Sequence, residues 1–195
     1  MRFLETALEG VLVLEPRVFR DERGCFLETF SEREFFKALD AHLPRSINRP
    51  CGSHHFVQDN ESVSRRGVVR GLHFQREPHA QAKLVRVSRG AILDVAVDMR
   101  RGSASFGRWV AVKLSAENRR QLFVPRGFAH GFLALEDETV VAYKVDDYYA
   151  PECDAGVLWC DPALGIDWGI EVGAAVVSAK DAGLPGLEDA YAFSI

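Results

Sequence analysis

Residues 83–98, Lys-Leu-Val-Arg-Val-Ser-Arg-Gly-Ala-Ile-Leu-Asp-Val-Ala-Val-Asp, decide the fold. They read as two strands, Lys83–Val87 and Ala91–Asp98, with a corner at Arg89-Gly90. The same texture continues on both sides. Phe56–Ser64 and Val68–Gln75 precede it; Arg108–Leu114, Gln121–Val124, Ala129–Leu135 and Thr139–Asp147 follow. Corners are marked at Arg66-Gly67, Arg101-Gly102, Phe106-Gly107 and Arg126-Gly127. Many short strands at this spacing predict an all-β sandwich or barrel. Strands and helices do not alternate, which argues against a parallel doubly wound sheet.

The ends of the chain are less regular. Val11–Leu14 is a short strand, Arg17–Gly24 a polar turn, and Phe26–Phe30 extended. Ser31 with Glu34 three residues on is a capping box, so Glu32–Leu39 is expected to be a short helix. Pro44–Ser53 reads as loop. Beyond Pro151 the chain is loop-rich, with room for short helical pieces.

The 195 residues are 47% hydrophobic and 27% charged, with a net charge of −4. That predicts one domain over residues 1–195 with a proper core. The mild negative charge disfavours nucleic acid or a membrane surface as partner. There is no apolar run of bilayer length, and Met1–Gly10 lacks a basic-then-apolar signal pattern. Cys25, Cys51, Cys153 and Cys160 show no metal-ligand spacing and are expected to be free thiols of a cytoplasmic protein.

Polar chemistry concentrates in Arg70-Gly-Leu-His-Phe-Gln75 and in Pro78–Lys83. A single histidine is usually structural. His73 sits among Arg70, Gln75 and Lys83, which suits a proton-abstracting base if a carboxylate such as Asp181 orients it. Lys83 shares a strand face with Val85 and Val87. It is either a cation aimed at an anion or a rim lysine snorkelling to water. Tyr143 alternates with Val141 and Val145, so it is either core packing or a general acid. His130 alternates with Phe132 and Ala134, as a ligand of substrate or a satisfied core group. Arg70 and His73 are an odd number of residues apart, so a regular strand would send them to opposite faces. A local irregularity at Gly71 is therefore predicted. The six histidines form no metal-binding pattern, and neither a phosphate loop nor a dinucleotide fingerprint is present, so no metal and no cofactor are expected. Phosphates would be met by side chains such as Arg23, Arg70 and Lys83.

Several blocks in order, DERGCFLE (21–28), QDNESVS (58–64), RGLHFQ (70–75), the 81–100 run, VPRGFAHGF (124–132), VAYKVDDYYAP (141–151) and SAKD (178–181), resemble the dTDP-4-dehydrorhamnose 3,5-epimerase family. The resemblance implies a cupin-type jelly roll with a few short helices near its ends. It also implies a cofactor-free homodimer and a dTDP-4-keto-6-deoxyhexose substrate. By motif, His73 corresponds to the base, Asp181 to its orienting carboxylate, Lys83 to the group on the carbon-4 oxygen and Tyr143 to the acid. Arg23, Glu28, Gln58, Asp59, Asn60, Arg70, Lys83, His130, Asp154 and Lys180 correspond to substrate-binding positions. Where the family usually has glutamate, this chain has Asp154. Two alternatives stand beside the double epimerase: a mono-epimerase working at carbon 3 or carbon 5 only, and a non-catalytic sugar-binding cupin. A 3,4-ketoisomerase fits RGLHFQ and the later lysine less well.

Overall fold

The computed structural model describes residues 1–42 and 55–194. The loop expected over residues 44–53 lies outside them. In chain order the elements are β1 (Arg2–Glu5), β2 (Leu12–Glu15), β3 (Val18–Asp21), β4 (Gly24–Leu27), α1 (Glu32–His42), β5 (Gln58–Ser64), β6 (Val69–Gln75), β7 (Lys83–Arg89) and β8 (Ala91–Asp98). Then come β9 (Arg100–Arg101), β10 (Trp109–Ser115), β11 (Gln121–Val124), β12 (Phe128–Ala134), β13 (Thr139–Val145), β14 (Asp154–Gly156), α2 (Ala179–Ala182) and β15 (Phe193–Ser194).

Two antiparallel sheets carry the fold. One has the order β1-β2-β11-β7-β13-β5, the other β10-β8-β12-β6-β14. They pack face to face as a cupin-type jelly roll. The two-residue period of each strand sorts the side chains between faces. Val13, Val85, Val87, Leu122 and Val141 of the first sheet meet Ile92, Ala96, Phe128 and Phe132 of the second. The outer face of the six-stranded sheet buries Leu12, Leu14, Leu84 and Phe123 under Phe35 and Leu39 of α1. The outer face of the five-stranded sheet buries Leu72, Phe74, Val95, Val97 and Leu133 under Trp159, Trp168 and Phe193 of the C-terminal segment. Trp168 also donates its indole N–H to the Trp159 carbonyl at 2.9 Å, so that its ring is buried with its polar atom satisfied. Each such large side chain contributes about 1.5–3 kcal/mol on burial.

The long strands fall close to their sequence-based bounds. The differences are at the ends. Residues 17–24 are not simply a turn: β3 and β4 form a hairpin, with Phe19 paired to Phe26 and Gly24 at φ 129°. Helix α1 continues to His42 rather than ending at Leu39. No helix among the described residues is long and apolar enough to cross a membrane.

The interior changes character along its length. On β5, Gln58, Asn60, Ser62 and Ser64 are the less exposed residues, and Asp59, Glu61 and Val63 are exposed. The same parity brings Lys83 of β7 and Tyr143 of β13 beside them, because Tyr143 pairs with both Asn60 and Val85. Past the apolar core, the space between the sheets is therefore lined by polar groups and stays open.

The irregularity at Gly71 is present. Gly71 has φ 127°, and the pairing of β6 with β12 shifts register there, His130 opposite His73 but Phe132 opposite Arg70. The shift reverses strand parity, so Arg70 and His73 line the same cavity. Only glycine fits: a Cβ at Gly71 would lie 2.6 Å from the Gly131 Cα and 2.9 Å from the His130 carbonyl oxygen. Both neighbours are backbone and cannot rotate aside. Gly71→Ala is expected to destabilise the protein by about 3 kcal/mol, from left-handed φ plus the clash. That corresponds to a Tm lower by roughly 6–12 °C. An unchanged melting curve would mean the two strands are not in this contact.

Candidate active site

The opening between the sheets holds two adjoining lobes of about 490 and 320 Å³. His73, Lys83 and Tyr143 line both. These volumes suit a small-molecule site.

His73 stands on β6, just past the Gly71 irregularity. Its Nε2 donates to Asp181 Oδ1 at 2.8 Å, and Asp181 Oδ2 accepts the Gly71 N–H at 3.0 Å. Asp181 rides on the short helix α2, whose N-cap Ser178 accepts from the Asp181 N–H at 3.0 Å. Burial works to raise the Asp181 pKa. The Gly71 N–H, His73 and Ser178 outweigh it and hold the carboxyl below its usual range. A carboxylate can only accept, so His73 carries its proton on Nε2 and has a free lone pair on Nδ1. Burial lowers the His73 pKa, against the pull of Asp181. A neutral imidazole with a fixed tautomer is a competent base.

Lys83 begins β7 on the opposite sheet and is 9% exposed. Its Nζ donates to the His73 carbonyl at 3.3 Å. Burial takes its pKa down to about 8, opposed by the charges of Asp94 and Asp154. The rim reading of this lysine does not hold, since it is enclosed. Tyr143 lines both lobes from β13, and its pKa is raised by burial, against a smaller effect of Arg70. The phenol thus keeps its proton through the neutral range.

The remaining expected residues divide. Arg70 lines the larger lobe and is tied to Ser64 Oγ at 3.1 Å and the Val63 carbonyl at 3.2 Å. His130 also lines it, with Nε2 on Asp94 Oδ1 at 2.7 Å. Gln58, Asn60, Asp154 and Lys180 line the smaller lobe. There Lys180 is ion-paired to Asp154, whose Oδ2 also accepts from the Tyr149 hydroxyl at 3.4 Å. The shorter acid therefore still reaches the lysine. Asp59 is a correction. Strand parity turns it to the outer face, where it pairs with Lys144 at 2.5 Å. Arg23 and Glu28 line neither lobe. Arg23 is bound to Asp21 on the exposed hairpin, and Glu28 borders a separate cavity beside α1.

Sequence reasoning missed Asp94, Ser62, Phe132, Tyr149 and residues 176–178. Asp94 left the clearest signal: a carboxylate in the apolar run Ala91–Val97, on the same face as Ile92 and Ala96.

A family model described as dTDP-4-dehydrorhamnose 3,5-epimerase matches residues 5–189. This chain belongs to that family. The dTDP-4-dehydrorhamnose 3,5-epimerase of Methanothermobacter thermautotrophicus is 53% identical over 182 residues, 92% of this chain and 91% of the relative. Among solved structures, the dTDP-4-dehydrorhamnose 3,5-epimerase of Elizabethkingia anophelis superposes with a TM-score of 0.87 at 43% identity, covering 97% of each chain. The dTDP-6-deoxy-D-glucose-3,5-epimerase of Legionella pneumophila, in complex with dTDP-4-keto-L-rhamnose, gives 0.87 at 41%, covering 96% of this chain and 93% of that one.

Proposed function

We propose that this protein epimerises a dTDP-4-keto-6-deoxyhexose at carbons 3 and 5 through an enolate. Both carbons flank the carbon-4 ketone, so their protons are the acidic ones. His73 Nδ1 removes a proton, the ketone oxygen becomes an enolate, and the Lys83 ammonium stabilises the charge that develops. Tyr143 then protonates the carbon from the other side of the ring. Asp181 keeps His73 in the working tautomer. No electrons are gained or lost in the cycle, so the chemistry calls for no redox cofactor. Gln58, Asn60, Arg70, His130, Asp154 and Lys180 are assigned to binding the sugar nucleotide. The observation that carries this reading is the junction itself: His73 from one sheet, and Lys83 and Tyr143 from the other, border both lobes.

We infer further that the protein, acting as one domain in the cytoplasm, is a homodimer. Strand β1 is an open edge of the six-stranded sheet, and such an edge invites pairing. On the β3–β4 hairpin, Phe19 and Phe26 are 49% and 69% exposed. Arg23 and Glu28 would then serve substrate held by the second copy. The free thiols of Cys25, Cys153 and Cys160 suit a reducing compartment; Cys51 lies outside the described residues.

Incubation with the 4-keto sugar nucleotide in deuterated water tests the reaction. Two deuterons, at carbons 3 and 5, are expected in the product. One deuteron would make the protein a mono-epimerase, and none would leave only a sugar-binding cupin.

A further inference from the structure

Asp94 is the most enclosed charged group near the cavity. It is 0% exposed on β8 and lines neither lobe. One oxygen accepts from His130 Nε2 at 2.7 Å; the other, Oδ2, has no hydrogen-bond partner among the described residues. A buried, half-satisfied carboxylate is costly unless a nearby positive charge compensates it. The compensating charge is at hand. Lys83 is buried on the facing sheet, on the strand face of Val85 and Val87 that packs against Ile92 and Ala96, the residues flanking Asp94 on its own face, and it lines one lobe together with His130. Burial lowers its pKa, and the charges of Asp94 and then Asp154 oppose that.

We propose that Asp94 is a positioning residue for the reaction: it anchors His130 through Nε2 and supplies the buried negative charge that keeps Lys83 an ammonium ion beneath the ketone. The inference rests on the reading that Lys83 stabilises the enolate. It assigns a division of labour between two histidine–carboxylate pairs that stand side by side, His130 being opposite His73 across β12 and β6. In the His73–Asp181 pair the carboxylate serves its histidine. In the His130–Asp94 pair the carboxylate also serves a lysine on the facing sheet. The titratable and charged groups that share the two lobes with Lys83 are Arg70 and His73 on β6, His130 on β12, Tyr143 on β13, Tyr149, Asp154 on β14, and Lys180 and Asp181 on α2, with Asp94 on β8 behind His130. Of these, Asp94 and Asp154 are the two whose negative charge favours the ammonium form.

The sign follows. Removing a negative charge beside a lysine makes it lose its proton at lower pH. In D94N the amide oxygen can still accept from His130, so the anchor persists while the charge is gone. The alkaline limb of the kcat/KM profile is therefore expected to move down by about one pH unit, the size of effect a close opposite charge commonly has. Activity on the acid side of that limb should stay within about 100-fold of wild type, as for loss of one supporting group. Thermal melts check that the variant is folded, and D94S supplies a second neutral variant should the amide not fold. A limb left at the wild-type pH, whether or not overall activity drops, overturns the proposal and leaves Asp94 a structural residue. The parent reading is checked separately by Lys83→Met, which must abolish the limb. If the limb survives there, the Lys83 assignment fails first and the Asp94 proposal falls with it.

Discussion

His73→Ala is expected to lower kcat by about 10²–10⁴-fold, the range a positioned general base contributes. Tyr143→Phe is expected to slow formation of the epimerised product by a comparable factor, but by a different route. His73 acts before the enolate exists. Its removal leaves the Asp181 carboxylate without its partner and no imidazole at the place from which the proton is taken. Tyr143 acts afterwards. Without the phenol the enolate still forms, and proton return must come from the face that lost it, which regenerates starting material. The two variants therefore share a low rate of product formation and differ in what happens to the substrate. Steady-state assays of product, with circular dichroism to confirm folding, read the first part. Wild-type rates in either variant would remove that residue from the reaction.

Lys83→Met should lose about 10²–10³-fold in kcat, roughly 2.7–4 kcal/mol, with a smaller effect on KM. The substitution keeps the length and apolar stem of the side chain but leaves nothing to meet the enolate oxygen. Fixed charges act most strongly when water is excluded, and Lys83 is enclosed between the two sheets. Its pKa near 8 adds a second observable. The active form needs the ammonium, so kcat/KM should fall as pH rises through about 8. The acid limb belongs to His73, which must be neutral to accept a proton. Burial lowers its pKa, so that limb should lie below the ordinary imidazole value. A profile flat through pH 9 would contradict the role given to Lys83.

Much of this was legible in the sequence, for reasons visible in particular residues. β8 matches its expected bounds because an apolar, valine-rich run that opens at the Arg89-Gly90 corner leaves few other structures open, and β11 because its short run Gln121–Val124 stops at Pro125. Parity alone carried Lys83 and Tyr143 to the interior. It also exposed the conflict between Arg70 and His73, which forced an irregularity at Gly71. The same argument, applied to QDNESVS, would have turned Asp59 outward; motif resemblance overrode it. Residues 17–24 read as a turn because arginine and aspartate mask the pairing of Val18 and Phe19 with Leu27 and Phe26. The meeting of Asp181 with His73 could not be read at all, since 108 positions separate them. Likewise, nothing in one strand tells that Asp94 sits near a lysine of the other sheet.

Central to the mechanism is the placement of base and acid on opposite sides of the sugar. It is tested most directly by recovering unconverted substrate after incubation of Tyr143→Phe in deuterated water. Deuterium at carbon 3 or carbon 5 of that substrate, without inversion, is the predicted result, and the His73→Ala control should carry none. Deuterium-free substrate from a folded Tyr143→Phe, or labelled substrate from His73→Ala, would contradict the account.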